Sequence, residues 1–536
     1  MQHHGRLAGV VLMLLSSTGL CPAVSITQHH NDINGTGVNS QETILTPANV
    51  IGTDKGGHFG KLYSLPVDGQ VYAQPLYLQG VNIPGYVGAR NVLYVATENN
   101  SVYAFDADSS TPIVYWQKTL GIPILCTQIP GCAYDLVPAI GITGTPVIDI
   151  ARNAIDVVTS TYTMGNAGFS LHSLNLTTGA ERIGSPVVIS GQVAGTSYDG
   201  NGSVVTFTPI KQLQRPGLLL LNGDVYIAFG SHSDIPPYHG WIFGYDGSSL
   251  RRLVIKCVSP NEGWSAIWQG GEALRADSSG NIYAVTGNGE LTAPTGPDYG
   301  DSVLKMNSLS ALAVTGFFSP SNQFDLYEDD KDLGAGGVIV IPGSIAANPL
   351  LIAGGKDGRI FLLNSASLGG FGCTNEYADC SSADNVLQEI QATQQNFGGE
   401  VFFNNNLYTW GAGDFLKMWC FTNSQLSLSP VSTNNSVLPA FGYPNAPAMS
   451  ISANGLNNGI LWATWSSTGP ANGYAYPGTL HAFDASNLST ELWNSDQTGG
   501  ADYSGSWAKW CPPTIANGKV YLATFDGAIT VFGLTQ

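Results

Sequence analysis

A chain of 536 residues has room for several ordinary domains and is ample to bury a core, so its length does not settle the number of domains. Twenty Lys and Arg against 38 Asp and Glu give a formal net charge of -18, a field that repels phosphate backbones and anionic lipid surfaces and argues against a nucleic-acid partner. With 66 Gly, 29 Pro, 11 Trp, 23 Tyr, 20 Phe and only 11% charged residues, the composition suits many short strands joined by tight turns and predicts little helix.

In chain order, residues 1-25 carry Arg6, the apolar run LAGVVLMLL and small residues at Ala23 and Ser25, the layout of a cleavable secretory signal. That run is too short to span a bilayer, and no later segment reaches spanning length, so a secreted or secretory-lumen location without a membrane span is expected. Residues 26-58 read as an N-terminal extension, in which His29-His30 is too isolated to mark a metal site. Cys126 with Cys132, and Cys373 with Cys380, are spaced to close small loops as local disulfides. Cys257, Cys420 and Cys511 leave room for one further pair and one free thiol. Six N-x-S/T sequons, at Asn34, Asn99, Asn175, Asn201, Asn434 and Asn487, are expected glycosylation sites in a secreted eukaryotic protein.

From residue 59 to 536 one unit recurs: a β-rich run, a turn, a second β-rich run, then a polar turn with Asp, Asn or Ser. VLYVATENNSVYAFDADSSTPIVYWQ, from Val92 to Gln117, shows it first, with the period-two alternation of two half-buried strands. Seven further copies follow, most preceded by another short strand such as AQPLYLQG or CPPTIANG. Four-stranded units repeating every 40 to 70 residues or so predict an all-β fold, a single β-propeller of about eight blades. The last unit ends after three strands, so FGKLYSLPVDG near residues 59 to 65 is predicted to complete it and close the ring.

Two segments carry a family resemblance. The stretch from Trp264 to Met306, with the AFDA blade signature, resembles the quinoprotein alcohol dehydrogenase-like (PQQ-like) propellers, and almost the whole chain looks like a secreted propeller group of fungi and acidobacteria. In the dehydrogenases a TGN motif like Thr286-Gly287-Asn288 supplies an Asn ligand to calcium beneath the quinone PQQ, and a later Asp acts as base. The resemblance therefore implies Asn288, Asp330 and Asp332 as metal ligands if calcium is bound. The sequence departs from that pattern: it has no adjacent Cys-Cys pair, no evident upstream Glu ligand, and mostly lacks the docking Trp after TG. Some fungal members of the group are cofactor-free hetero-Diels-Alderases of tropolonic sesquiterpenoid biosynthesis, joining a quinone methide to a terpene alkene. That implied activity is the leading expectation, with no cofactor.

Loop lengths point to a working face. Second-to-third-strand loops are tight in blades one, five and eight and long in blades three (SHSDIPPYHG), four (NGELTAPTGPDYGD) and seven (WSSTGPANGYAYPGT). With the long blade-to-blade connections, they bring His232, His239, Tyr299 and Lys509 forward as candidate catalytic donors. Tyr238, Trp264, Trp268, Glu272, Tyr474, Tyr476 and Trp507 are candidate contacts to an apolar or aromatic small-molecule substrate. Plain competitors stand beside each: blade-edge aromatics are usually packing wedges, loop histidines are usually solvated, and the run Asp329, Asp330, Asp332 usually forms a solvated loop. Three functions remain open: a cofactor-free cyclase, a PQQ and calcium dehydrogenase, and a non-catalytic binding or surface propeller.

Overall fold

The computed structural model describes residues 24–52, 55–132, 135–292, 295–343, 349–373, 384–439, 446–469 and 474–535. The expected signal segment therefore lies almost wholly outside them. Eight small antiparallel sheets follow one another along the chain, each with its first strand innermost. Blade 1, for example, runs Leu76–Val81, Arg90–Ala96, Ser101–Asp106, Val114–Thr119. Phe59–Pro66 pairs with Ala528–Leu534, from Phe59 opposite Leu534 to Pro66 opposite Ala528, and so supplies the outer strand of blade 8. The ring is closed as the sequence predicts. The single α-helix among the described residues is Gln323–Glu328.

One expectation needs correcting. The second and third strands of blade 1 are buried on both faces along most of their length, because each blade is sandwiched between two neighbours. Alternation in the sequence marks which neighbour a residue meets, not solvent.

The repeat has a hydrogen-bonding cause. At the end of the third strand, the side-chain oxygen of Asp106, Asn175, Asp246, Asn307, Asn364 or Asp484 accepts the backbone N–H two residues on, at 2.8–3.1 Å, so six blades share one side-chain-closed turn. Blades are also stitched together by second-strand tyrosines. Tyr94, Tyr408 and Tyr521 donate to the carbonyls of Leu176, Ala485 and Ala107, each just past the third strand of the next blade. Tyr408→Phe removes a buried donor at 2.7 Å from Ala485. It should cost about 1–2 kcal/mol in urea unfolding, and an unchanged midpoint would show that the stitch carries no energy.

Residues 25–42 are no peripheral extension. Ser25 pairs with Leu78 of blade 1, and Thr27 accepts from Ile148 of blade 2. His29 packs on Gly217, just before the inner strand of blade 3. The carbonyls of Ile33, Asn34, Thr36 and Gly37 accept from Ala276, Val340, Phe402 and Ile451 of blades 4 to 7. Asn39 donates to Ile515 of blade 8. One extended strap thus makes a full circuit of the inner strands in chain order, occupying channel-facing edges that would otherwise lack partners.

Cys126 and Cys132 form a disulfide with Cα atoms 5.7 Å apart. Cys373 is disulfide-bonded, and Cys380 lies outside the described residues. Cys257, Cys420 and Cys511 are all free thiols, so no pair forms among them. Among the sequons, Asn34 lies on the strap with its amide on the Ala276 carbonyl, and Asn434 is buried with its oxygen accepting from Leu416. The Asn99 and Asn175 side chains are engaged with Asp68 and Thr177, while Asn201 and Asn487 are exposed.

Candidate functional site

Connections leading into the inner strands of blades 4, 5, 6, 7 and 8 bring Trp268, Ala335, Phe397, Ala446 and Trp510 into one apolar cluster, which must therefore lie at the axis. Trp268 and Trp510 are tilted with ring centroids 5.4 Å apart, and Phe397 lies nearly parallel to Trp510 at 6.5 Å. Both tryptophans are only half-buried. Three cations face this platform: Lys356 at 5.6 Å from the Trp268 ring, and Arg215 and Lys509 at 5.5 and 4.9 Å from Trp510.

Beside it the TGN turn of blade 4 meets the blade 4–5 connection. The Asn288 backbone N–H donates to Asp332 at 2.7 Å and its side-chain amide to Asp330 at 2.8 Å, leaving its Oδ1 buried and without a partner. Lys356 bridges Asp330 at 2.8 Å and Asp332 at 2.5 Å. Gly287 permits this approach, since a Cβ there would fall 2.1 Å from an Asp332 oxygen. On the other flank, fully buried Lys509 pairs with Asp135, and Arg215 donates to the Lys509 carbonyl at 3.0 Å.

Burial sets the electrostatics. It pushes Glu98 up to about 7 against bonds from Gly141 and Thr143, and Asp234 up to about 6 with help from the charge of Asp332. Asp301 is raised well above the carboxylate range by burial and then Asp332. For Asp135 burial also raises, but Lys509 outweighs it and holds the carboxyl low. His232 is pushed down to about 4 by burial, so its imidazole is neutral near pH 7.

The remaining predicted residues fall in several places. His232 and His239 are buried, contrary to the solvated-loop reading; His239 is held between the Ser259 carbonyl at 2.7 Å and Asp199 at 3.1 Å. Tyr238 donates to Asp234 at 3.1 Å and packs on Trp264, which also meets Tyr327 edge-on. The Tyr299 hydroxyl is committed to the Thr295 carbonyl, with its ring against Phe317. Trp507 is buried, its backbone N–H on the Tyr476 carbonyl at 2.8 Å, while Tyr474 is exposed. Glu272 is engaged away from the apolar cluster, pairing with Arg275, His29 and His30. Asp332 is buried rather than solvated, whereas Asp329 forms an exposed ion pair with Lys331. Sequence reasoning missed Glu98, Asp135, Arg215, Asp234, Lys356 and Phe397. None of these carries a motif, and Lys356 sits in a tight turn of the kind that loop length passes over.

No family model and no curated protein matches the chain. Among solved structures, the quinohaemoprotein alcohol dehydrogenase from Comamonas testosteroni is similar at 14% identity, covering 95% of this chain and 80% of that one, with a TM-score of 0.59. A europium-containing methanol dehydrogenase follows at 13% identity, covering 95% and 83%, with a TM-score of 0.49. BamB from Moraxella catarrhalis gives 12%, covering 89% and 100%, at 0.48. The chain is thus an eight-bladed propeller of the quinoprotein-dehydrogenase shape, a likeness of fold alone. Among the described residues no helix is long and apolar enough to cross a membrane.

Proposed function

We propose that the axial platform binds a flat, oxygen-rich conjugated molecule of the quinone class and activates it through fixed positive charge. The observation that carries this reading is the Lys356 ammonium, fixed by Asp330 and Asp332 and set 5.6 Å from the Trp268 ring. A ring stacked on Trp268 would lie beside a fixed positive charge, and aromatic stacking with an aimed polar group is how such pockets orient ligands.

The donor set fits calcium poorly. Calcium takes six to eight oxygens or so, whereas here Asp330 and Asp332 are both shared with the Lys356 ammonium and Asn288 Oδ1 is the one further oxygen this trio leaves to offer. We therefore favour the cofactor-free reading, a cyclase of the hetero-Diels-Alderase type acting on a quinone methide and a terpene alkene. In such a step the C=C–C=O unit and the alkene form one C–C and one C–O bond as three π bonds become one, and no proton or electron leaves. The protein then needs only to align the partners and to withdraw charge through the field of the Lys356 ammonium, whose N–H groups meet the Asp330 carbonyl and the Asp330 and Asp332 carboxylates. The alternative, a quinone dehydrogenase, is supported by the unpartnered Asn288 oxygen and by what the Comamonas protein's name says of that protein. The signal-like leader, the Cys126–Cys132 disulfide and the exposed sequons at Asn201 and Asn487 support a secretory location for this reading.

Absorption and tryptophan fluorescence titrations with 1,4-naphthoquinone and with pyrroloquinoline quinone, each with and without calcium chloride, test it. Calcium-independent naphthoquinone binding, weakened on the order of tenfold or more by Trp268→Ala and by Lys356→Met, is the expected result. Binding of pyrroloquinoline quinone only with calcium would overturn the cyclase reading in favour of the dehydrogenase, and no quinone binding at all would overturn both.

A further inference from the structure

Where the strap crosses blade 4, the His29 and His30 rings stack at 4.7 Å over Glu272. Their candidate ligand atoms and that carboxylate all lie within 4.8 Å of one another. All three side chains are buried, His30 to 1% exposure. The geometry at His30 is incomplete as it stands. Its Nε2 faces the Met449 carbonyl at 3.1 Å, and a carbonyl can only accept, so Nε2 carries the hydrogen. Its Nδ1 points at Glu272 Oε1 from 3.2 Å without a well-formed hydrogen bond. A cation between the two, a proton or a metal ion, completes the pair.

The rest of the surroundings suits a metal. Glu272 Oε2 is held by Arg275, which also donates to the His29 carbonyl at 3.0 Å, outer-shell support of the kind that orients a ligating carboxylate; its long 3.3 Å contact to His29 Nδ1 is the one a metal would displace. A cavity of about 10 Å³ lined by Glu272 and Glu400 adjoins the cluster, close to the room one water needs as a fourth ligand.

We infer that His29, His30 and Glu272 form a site for a borderline divalent first-row cation such as zinc, which clamps the strap to blade 4. Two imidazole nitrogens and one carboxylate oxygen with a water in the fourth position are donors that zinc accepts. The site does not depend on the quinone reading.

The test uses the full chain, made without a histidine tag, freed of metal with a chelator and titrated with zinc chloride and, separately, cobalt chloride. Expected are one equivalent of zinc per chain, a higher thermal midpoint, and visible cobalt d–d bands of a four-coordinate site. His30→Ala and Glu272→Gln should each weaken binding at least about tenfold, while Trp268→Ala should leave the stoichiometry unchanged. Absence of stoichiometric zinc, or affinity in both variants unchanged from the unsubstituted chain, would overturn the inference and leave a proton in the gap. Should the variants fail to fold, the cobalt spectrum of the unsubstituted chain decides, since missing d–d bands overturn it as well.

Discussion

In the metal-free chain, Arg275→Met is expected to lower the free energy of unfolding by about 3–5 kcal/mol, seen as a fall in the urea midpoint at constant slope. Arg275 is 1% exposed and ties three things together: the Glu272 carboxylate, the His29 carbonyl and the His29 ring. Methionine fills much of the volume but leaves a buried carboxylate with imidazole partners alone. Burial by itself would raise the Glu272 carboxyl, but His30, His29 and Arg275 together hold it well below the ordinary range. Its contribution is therefore present above the unfolded value of 4.5 and is lost as pH falls below it. The deficit of Arg275→Met should shrink in acid for the same reason. Adding Glu272→Gln to Arg275→Met should recover part of the loss, since the stranded charge is then gone. A loss under about 1 kcal/mol at neutral pH would mean that the strap is held by its backbone bonds alone.

The difference between what was legible in the chain and what was not follows from how each feature is built. The blades are local: a turn-closing Asp or Asn and a stitching Tyr recur at similar places in unit after unit, and eight copies make a weak signal readable. The closing strand is readable because an incomplete last unit demands it. The strap is the reverse case. It meets each blade through one or two hydrogen bonds, so no periodicity runs along residues 25–42, and His29-His30 looks isolated when its partner is 242 residues or more away in Glu272. At the axis, Asn288, Asp330 and Asp332 stand out through the TGN resemblance and an acidic run, and Trp268 through its long connection. Arg215 and Phe397 sit in connections that look unremarkable singly and acquire meaning only when several converge on the axis. Lys356 was hidden by the shortness of its turn: loop length marks where chain is added, and a single side chain on a tight turn can reach the same place. Tyr299 shows the opposite failing, a long loop whose aromatic ring serves blade packing.

Glu98→Gln is expected to raise stability at pH 8 by up to about 3 kcal/mol relative to the unsubstituted chain and to leave it nearly unchanged at pH 4. Glu98 is fully buried in the tight turn of blade 1, with one oxygen accepting from Gly141 at 2.6 Å and Thr143 at 3.0 Å and the other without a partner. Burial holds its carboxyl at about 7 against an ordinary 4.5. A folded value raised in this way gives stability that is complete below about pH 4.5 and lost as pH rises through about 7, at about 1.4 kcal/mol per unit. Glutamine keeps the acceptor toward Gly141 and Thr143 and never has to ionise. The same titration reaches the axial site through Arg215, whose charge is opposed first by burial and supported by Glu98 and Asp135. As Glu98 ionises it takes up field that Arg215 would otherwise direct at a ligand on Trp510. Affinity for an anionic ring such as pyrroloquinoline quinone should therefore fall between pH 6 and 8 in the unsubstituted chain and fall less in Glu98→Gln. Urea unfolding and fluorescence titration at the two pH values read both effects, and parallel pH curves for the two proteins would show that Glu98 neither burdens the fold nor tunes the site.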